Sequence, residues 1–423
     1  MEFVLMRLGV IADDFTGAVD IAGFLVEGGM RTMMCSRAVD TQNLGPVDAI
    51  VMSLKIRSLP ARQAVDEALK ALDFLQSAGC DRFYYKYCST FDSTKDGNIG
   101  PVTDALRKAL GEKMTLICPA LPVNGRTVFH GYLFVNHDLL SDSAMRHHPL
   151  NPMLDAKLER LLLMQNPSKC GHIFYDTVSQ GIGAVKQKRE ALEAQGVENL
   201  IVDVIDDEDL VTIAEATKDL RLVTGGSGLA MGLAKVRAQE RGCEIKNEAA
   251  FLPKRRKAVV LAGSCSAMMQ KQVAYYRSLA PSLSLDEVSC VHDPDYSERV
   301  AEWVLDHQHL ELAPMVYATR SVEQLEENRK RFADVDLAKI IEQSFGTLTK
   351  LLARAGTQTF IVGGGETSGM VATTLGVDAY LIGPQIDPGV SWVQSLDGVY
   401  ELVFKSGNFG SVEFLRKAQH EYM

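Results

Sequence analysis

Short apolar runs rich in β-branched and aromatic residues alternate along the chain with longer runs that are apolar on one face only. The short runs are "LGVIA" from Leu8, "DAIVMSL" from Asp48, "RFYYKY" from Arg82, "MTLICPA" from Met114, "HIFYDT" from His172, "NLIVDVI" from Asn199 and "LRLVTGG" from Leu220. Among the long ones, "ARQAVDEALKALDFLQSAG", "GPVTDALRKALG" and "DLVTIAEATKDL" carry the apolar spacing of amphipathic helices. Strands alternating with helices predict βαβ units and a parallel sheet. The rhythm breaks near residues 240–257, where "QERGCEIKNEAAFLPKRRK" is polar, has no period and holds Pro253. A second series follows: "AVVLAGSCS", a helix from about Ala267, "LELAPMVYAT", a long helix through "DLAKIIEQSFGTLTKLLARAG", then "TFIVGGGETSG" and "GVYELVFKSG". The expected fold is α/β, with two α/β domains of mostly parallel sheet over residues 1–245 and 254–423 and the active site in the cleft between them.

At 423 residues the chain is long enough for two cores, and 46% hydrophobic with 23% charged residues is ordinary globular usage. The net charge of −10 argues against a nucleic-acid partner. "KRRK" at Lys254–Lys257 reads as a solvated linker, and His147 and His148 as loop residues. Eight cysteines without a CxxC pair argue against zinc and for reduced thiols. No stretch reaches the ~18 apolar residues of a membrane span, and no signal-like apolar core precedes the first acids. The expected compartment is the cytoplasm, and the oligomeric state stays open.

Open α/β sheets bind ligands beyond the carboxyl ends of their strands. The residues there are Asp13 and Asp14 after "LGVIA"; Lys55, Arg57 and Ser58 after "IVMSL"; Lys86, Ser89, Thr90 and Asp92 after "FYY"; Asn124 and Arg126 after "LICPALPV"; Asp176; and Asp203. Carboxylates, cations and hydroxyls together suit a polyhydroxylated acid, whose carboxylate needs a cation and whose hydroxyls need donors, acceptors and one proton acceptor. Each residue also has a plainer reading. Asp14 suits the N-cap of a helix starting around Thr16, Arg57 suits a surface ion pair, and Asp203 with Asp206–Asp209 suits a solvated helix start.

In the second half, "GSCS" (Gly263–Ser266) and "GGGETSG" (Gly363–Gly369) each follow a strand and open a helix, and "KSGNFG" (Lys405–Gly410) follows the last strand. Glycine turns at helix N-termini let backbone amides approach phosphate, although a glycine after a strand is also an ordinary tight turn. GxxxxGK[ST], GxGxxG and HExxH are absent, and "TGGSGLA" puts Leu229 where a nucleophile elbow needs glycine. Cys265 has no nearby histidine to activate it.

"GVIADDFTGAVDIA", "YKYCSTFDSTKDGNIGPV", "CPALPVNGRTVFHGYLFV", "VTGGSGLA", "LAGSCSAMMQKQV", "GGGETSG" and "IGPQIDPGVSW" resemble, in order, motifs of the four-carbon acid sugar kinases. The resemblance spans nearly the whole chain, and its second and third motifs look most like the branch acting on 3-oxo-tetronates. It implies ATP-dependent phosphorylation of the 4-hydroxyl of a 3-oxo-tetronic acid, with D-threonate or D-erythronate as alternatives. It places the sugar acid at Asp13, Asp14, Arg57, Lys86 and Ser89–Asp92, beside the strand-end candidates Asn124 and Arg126. It places ATP at Ser264 or Ser266, at Gly364, Gly365, Glu366 and Thr367, and at Gly407. The chain departs from the family where "VGGGET" replaces an Ala before the glycine pair and where Asp387 stands for a common Ala. Phosphoryl transfer needs positioning, a phosphate cradle and a metal. Mg2+ is therefore implied, held mainly by ATP phosphates and water with at most a carboxylate such as Glu366, and Asp14 or Asp13 is the expected acceptor of the hydroxyl proton. A dehydrogenase lacks support without its glycine fingerprint; a noncatalytic sugar-acid sensor would not need the nucleotide loops.

Overall fold

The computed structural model describes residues 7–39, 47–147, 151–240, 249–254 and 256–420. The chain divides into two compact units, residues 1–248 and 249–423. Cys243, His148 and Arg255 lie outside the described residues. No helix among the described residues is long and apolar enough to cross a membrane.

The first unit holds a parallel sheet in the order Thr32–Cys35, Ala49–Ser53, Leu8–Ala12, Arg82–Lys86, Leu222–Gly225, Thr115–Cys118, Asn199–Val202, Cys170–Ile173. After Leu8–Ala12 the chain builds outward to one side, and from Arg82–Lys86 it builds to the other. The carboxyl ends of these two central strands therefore flank the switch point where such sheets open a crevice. The helix Phe15–Glu27 starts one residue before the expected Thr16 because Asp14, in extended backbone, caps it by accepting from the Gly17 amide at 2.8 Å. Its nearly continuous burial reflects an apolar, small-residue sequence that packs on all sides.

Three local expectations change. "HIFYDT" leaves the sheet after Ile173 and turns into the helix Tyr175–Val178, because the buried Asp203 carboxylate takes the Tyr175 amide at 3.0 Å together with those of His130 and Gly131. Asp203 is thus an internal loop anchor, not part of a solvated acidic face, whereas Asp206 does cap the helix Asp207–Ala216 in a capping box with Asp209. "RTVFHGYLFV" forms an antiparallel sheet of Arg126–Phe129, Tyr132–Val135 and Asp138–Leu139. Its first turn, with His130 at φ 50° and Gly131 at φ 70°, has the two left-handed residues of a tight hairpin.

The second unit orders its strands Ser282–Ser284, Met315–Tyr317, Ala258–Ala262, Thr359–Gly363, Glu401–Lys405, Val390–Ser395, Ala379–Asp387. All pair in parallel except Val390–Ser395, which runs antiparallel to both neighbours. Ala258–Ala262 and Thr359–Gly363 are the central pair from which the chain winds to opposite sides. The core includes Met269, Tyr276, Trp392 and Phe414. "KRRK" is more than a solvated link: Arg256 donates to the carbonyls of Gly398 and Val399 and pairs with the buried Glu401 at 3.4 Å.

Candidate functional site

At the switch point of the first unit, Asp13 leaves its strand with its amide bonded to the Lys86 carbonyl at 2.9 Å and its carbonyl bonded by the Ile56 and Arg57 amides. Arg57 then donates to both Asp13 oxygens, Nε to Oδ2 at 2.9 Å and Nη2 to Oδ1 at 2.7 Å. The same Nη2 lies 2.9 Å from Oδ1 of Asp14. Asp13 is sealed while about a quarter of the Asp14 side chain remains exposed (2% against 27%). Burial pushes the Asp13 carboxyl above its ordinary value despite Arg57. Burial pushes Asp14 up too, but Arg57, Lys86, the Gly17 amide and the Thr16 hydroxyl together hold it below the ordinary carboxylate value. Of the two, Asp14 is the acid whose charged form its surroundings favour more. Asp14 is both the helix cap and a member of the charged cluster, so its two readings are compatible.

Lys86 is buried with its ammonium on the Tyr87 carbonyl at 2.9 Å and beside Gly17. Thr90 is buried, its hydroxyl 2.9 Å from the Cys88 thiol, and Ser89 packs against Gly226. Asp92 is buried in the same segment, where Phe91 holds the left-handed φ of 49°, a strained conformation of the kind that persists where a site over-determines it. Arg126 donates to the Asn124 carbonyl, has a buried Nε with no acceptor, and has no ion-pair partner among the described residues. Burial lowers its pKa, opposed by Cys88 and Asp20. Of the other strand-end residues, Lys55 and Asp176 are exposed and contribute no contact to this cluster.

In the second unit the three glycine segments converge. Gly364 has φ 129°, accessible in practice only to glycine, and a Cβ there would sit 3.0 Å from the Ser264 amide nitrogen. A Cβ at Gly407 would run into Ser264 Oγ and lie 2.9 Å from Ser266 Oγ. Ser266 caps the helix Ala267–Arg277 through the Met269 amide, and Ser264 Oγ accepts from the Ser266 amide at 3.2 Å. Gly365 and Glu366 are exposed at the start of the helix Gly365–Leu375, whose first free amide donors include theirs, and Thr367 is buried beneath against Gly263. Gly263, Ser264 and Gly364–Thr367 border a cavity of about 600 Å³ that continues over Leu325, Phe332, Leu337 and Phe345. Cys265 is held between the Arg320 amide and the Ala318 carbonyl, with burial raising its thiol pKa, so it is not an activated nucleophile. Among the described residues no cluster of three or more His, Cys, Asp or Glu side chains could hold a metal ion.

Residues 8–233 match a family described as a sugar-binding N-terminal domain, and residues 259–415 one described as a nucleotide-binding C-terminal domain. The chain belongs to the four-carbon acid sugar kinase family. A Brucella melitensis 3-oxo-tetronate kinase is 48% identical over 98% of this chain and 95% of its own. A Salmonella typhimurium 3-oxo-tetronate kinase is 46% identical over 99% and 100%. A solved structure from Haemophilus influenzae, 47% identical, superposes with a TM-score of 0.82 over 98% of this chain and 100% of its own. One from Salmonella typhimurium, provisionally labelled a tRNA synthase, is 46% identical, with a TM-score of 0.90 over 99% and 100%; a tRNA partner calls for a basic face, and the net charge here is −10.

Within this family member, residue-by-residue reading of strand ends passes over Asp20, Ser227 and Asn98. Asp20 lies inside the first helix, 4% exposed, accepting from the Ser227 hydroxyl and leaving Oδ1 without a partner. Burial raises its pKa to about 6, against the pull of Lys86 and Ser227. The one sequence signal is a single acid on an otherwise apolar helix, "GAVDIAGFLV". Asn98 Nδ2 donates to the carbonyls of Ile56 (2.6 Å), Arg57 (3.2 Å) and Leu59 (3.1 Å), which fixes the loop presenting Arg57.

Proposed function

We propose that this chain transfers the γ-phosphoryl group of ATP to the 4-hydroxyl of 3-oxo-tetronate. The observation that carries the reading is the pairing, in one chain, of an acid-and-cation cluster at one switch point with a glycine cradle of free amides at another. Relatives named 3-oxo-tetronate kinase, 46–48% identical over nearly the full chain, support the same acceptor. In this reading residues 1–245 bind the sugar acid and 254–423 the nucleotide.

Arg126, a guanidinium with no ion-pair partner among the described residues, receives the substrate carboxylate, with Lys86 adding positive potential. Asp14, partly exposed and with its charged form favoured by Arg57 and Lys86, accepts the hydrogen bond of the attacking hydroxyl, while Asp13 holds Arg57 in place. Ser89, Thr90, Asp92 and Asn124 supply polar partners for the remaining oxygens. On the other unit the amides of Gly365, Glu366 and Thr367 and the hydroxyls of Ser264 and Ser266 take the phosphates beside Gly364 and Gly407. The apolar part of the cavity suits a base. Mg2+ would be held by phosphates and water, with Glu366 as its one protein carboxylate, and would neutralise charge developing on the phosphates.

Incubation with Mg-ATP and a panel of 3-oxo-tetronates, D-threonate and D-erythronate, read as ADP and phospho-acid, tests this. Product from 3-oxo-tetronate in preference to the others is expected. Preference for a tetronate without the 3-oxo group moves the substrate, and binding of both ligands without ADP overturns the kinase assignment.

A further inference from the structure

Lys405 ends the strand Glu401–Lys405 and is fully buried. Its ammonium donates to three consecutive-loop carbonyls, those of Ser406 at 2.7 Å, Gly407 at 3.0 Å and Phe409 at 3.0 Å. A trans peptide is planar, so a carbonyl turned toward Nζ sends the amide of the next residue the opposite way. The amides so turned away include those of Gly407 and Asn408, and neither donates to a protein acceptor among the described residues. It is Gly407 whose Cα faces the hydroxyls of Ser264 and Ser266. The far end of the loop is fixed separately. Gln272 Nε2 donates to the carbonyls of Phe409, Gly410 and Ser411 at 2.8–3.3 Å. Asp387 accepts from the Ser411 amide and hydroxyl at 2.8 and 2.9 Å.

We propose that Lys405 is a positioning residue for the nucleotide: by gathering three carbonyls on its own side of the loop, the buried ammonium holds the Gly407 and Asn408 amides outward as a phosphate-receiving edge beside Ser264 and Ser266. This rests on reading the glycine cradle as the ATP site. The two adjacent donors form an anion-binding concavity of the kind made by successive backbone amides, with a positive charge behind it.

The charge is adjustable. Burial lowers the Lys405 pKa to about 7, opposed by Asp387. Among the described residues the groups around it include Gly363 from the neighbouring strand, neutral Gln272, which shares the Phe409 carbonyl with it, the Phe414 ring at 5.9 Å, and Asp387, which is itself paired to Lys417 at 2.8 Å. The three carbonyl acceptors favour the ammonium against that burial, and a bound phosphate favours it further.

Calorimetry of Mg-ATP on the full chain tests the role. Lys405→Met is expected to weaken Mg-ATP at least tenfold, with the KM of the sugar acid unchanged, and Lys405→Arg to recover part of the affinity. Asn408→Pro, which deletes one of the two amides and leaves Lys405 in place, is expected to weaken Mg-ATP as well, and binding within twofold there overturns the proposal even if Lys405→Met does not fold. So does a folded Lys405→Met that binds within twofold, or that loses both substrates equally as a general structural defect would. Failure of the unsubstituted protein to bind Mg-ATP is a different result, since it removes the nucleotide site itself.

Discussion

Replacing Asp14 by Asn separates its structural and chemical roles. Oδ1 accepts from the Gly17 amide at 2.8 Å and from Arg57, and Oδ2 accepts from the Thr16 hydroxyl at 3.0 Å. Asn caps helices about as well as Asp, so the helix Phe15–Glu27 keeps its start. The pair lost to Arg57 is partly solvated, and Arg57 retains both bonds to Asp13, which limits the stability cost to less than about 1 kcal/mol. Turnover is another matter. A general base contributes about 10²- to 10⁴-fold, whereas one hydrogen bond to a charged acceptor contributes about 1.5–3 kcal/mol, or roughly 10- to 150-fold. The depressed Asp14 pKa makes it a poor proton acceptor, and loose phosphoryl transfer demands little of one. The expected loss in kcat for Asp14→Asn is therefore in the lower range, with an unchanged melting temperature and unchanged Mg-ATP affinity. Because the folded pKa lies below the usual carboxylate value, the dependence of kcat on ionised Asp14 should appear only below pH 4. Asp14→Ala should in addition lower stability by about 1 kcal/mol through the lost cap. Full turnover in both Asp14→Asn and Asp13→Asn would refute the assignment of this cluster.

Gly364→Ala places a Cβ 3.0 Å from the Ser264 nitrogen at φ 129°, a strain of about 1–3 kcal/mol; the melting temperature should fall and the KM of ATP rise, and an unchanged KM would mean that the segment is only a turn. Asp20→Asn tests burial of a carboxylate: the native pKa of about 6 against the ordinary 3.8 means that the folded protein holds a proton the unfolded chain has lost between those values, so stability rises as pH falls from 6 toward 4. The variant should flatten that rise and be more stable at pH 8 by about 3 kcal/mol, at 1.36 kcal/mol per pKa unit, in urea titrations at both pH values; an unchanged slope would refute it. Asn98→Ala removes three bonds to the Arg57 loop, so steady-state kinetics should show the KM of the sugar acid up about tenfold and that of ATP unmoved.

The central strands were legible because they are buried on both faces and read as continuous apolar runs, and the turns at "GSCS" and "GGGET" because glycine between a strand and a helix marks a tight backbone turn. Less legible were features set by contacts distant in sequence. The antiparallel strands Arg126–Phe129 and Tyr132–Val135 are short, and their hairpin relies on His130 where a glycine or asparagine would advertise it. "HIFYDT" is strand-like throughout, and what ends the strand is Asp203, which lies on another segment. Asn98 and Gln272 sit among helix residues with nothing local to distinguish them from surface amides; their bonds to three carbonyls each exist only after the loops have folded over them. Asp20 differs, since an acid among "AV" and "IA" conflicts with burial in the sequence itself, and local conflicts of this kind tend to mark functional sites.

On the proposed reading the two switch points recognise their ligands by opposite means, which sets which substitutions each would tolerate. In the first unit the candidate groups are side-chain charges in a buried setting, where Asp13, Asp14 and Arg57 compensate one another and Arg126 has no ion-pair partner among the described residues. Deleting a member of such a set strands its partner's charge, which costs more than the contact itself contributed; adding a methyl group nearby is the milder change. In the second unit the groups are amides and hydroxyls around glycines, with a single cation behind the loop. There a lost hydroxyl leaves the remaining donors in place, but a Cβ at Gly364 or Gly407 lies where backbone and hydroxyl already are. On that reading charge deletion is the perturbation expected to damage the sugar-acid site, and volume addition the one expected to damage the nucleotide site. Lys405 is the exception in the second unit because its charge shapes the backbone.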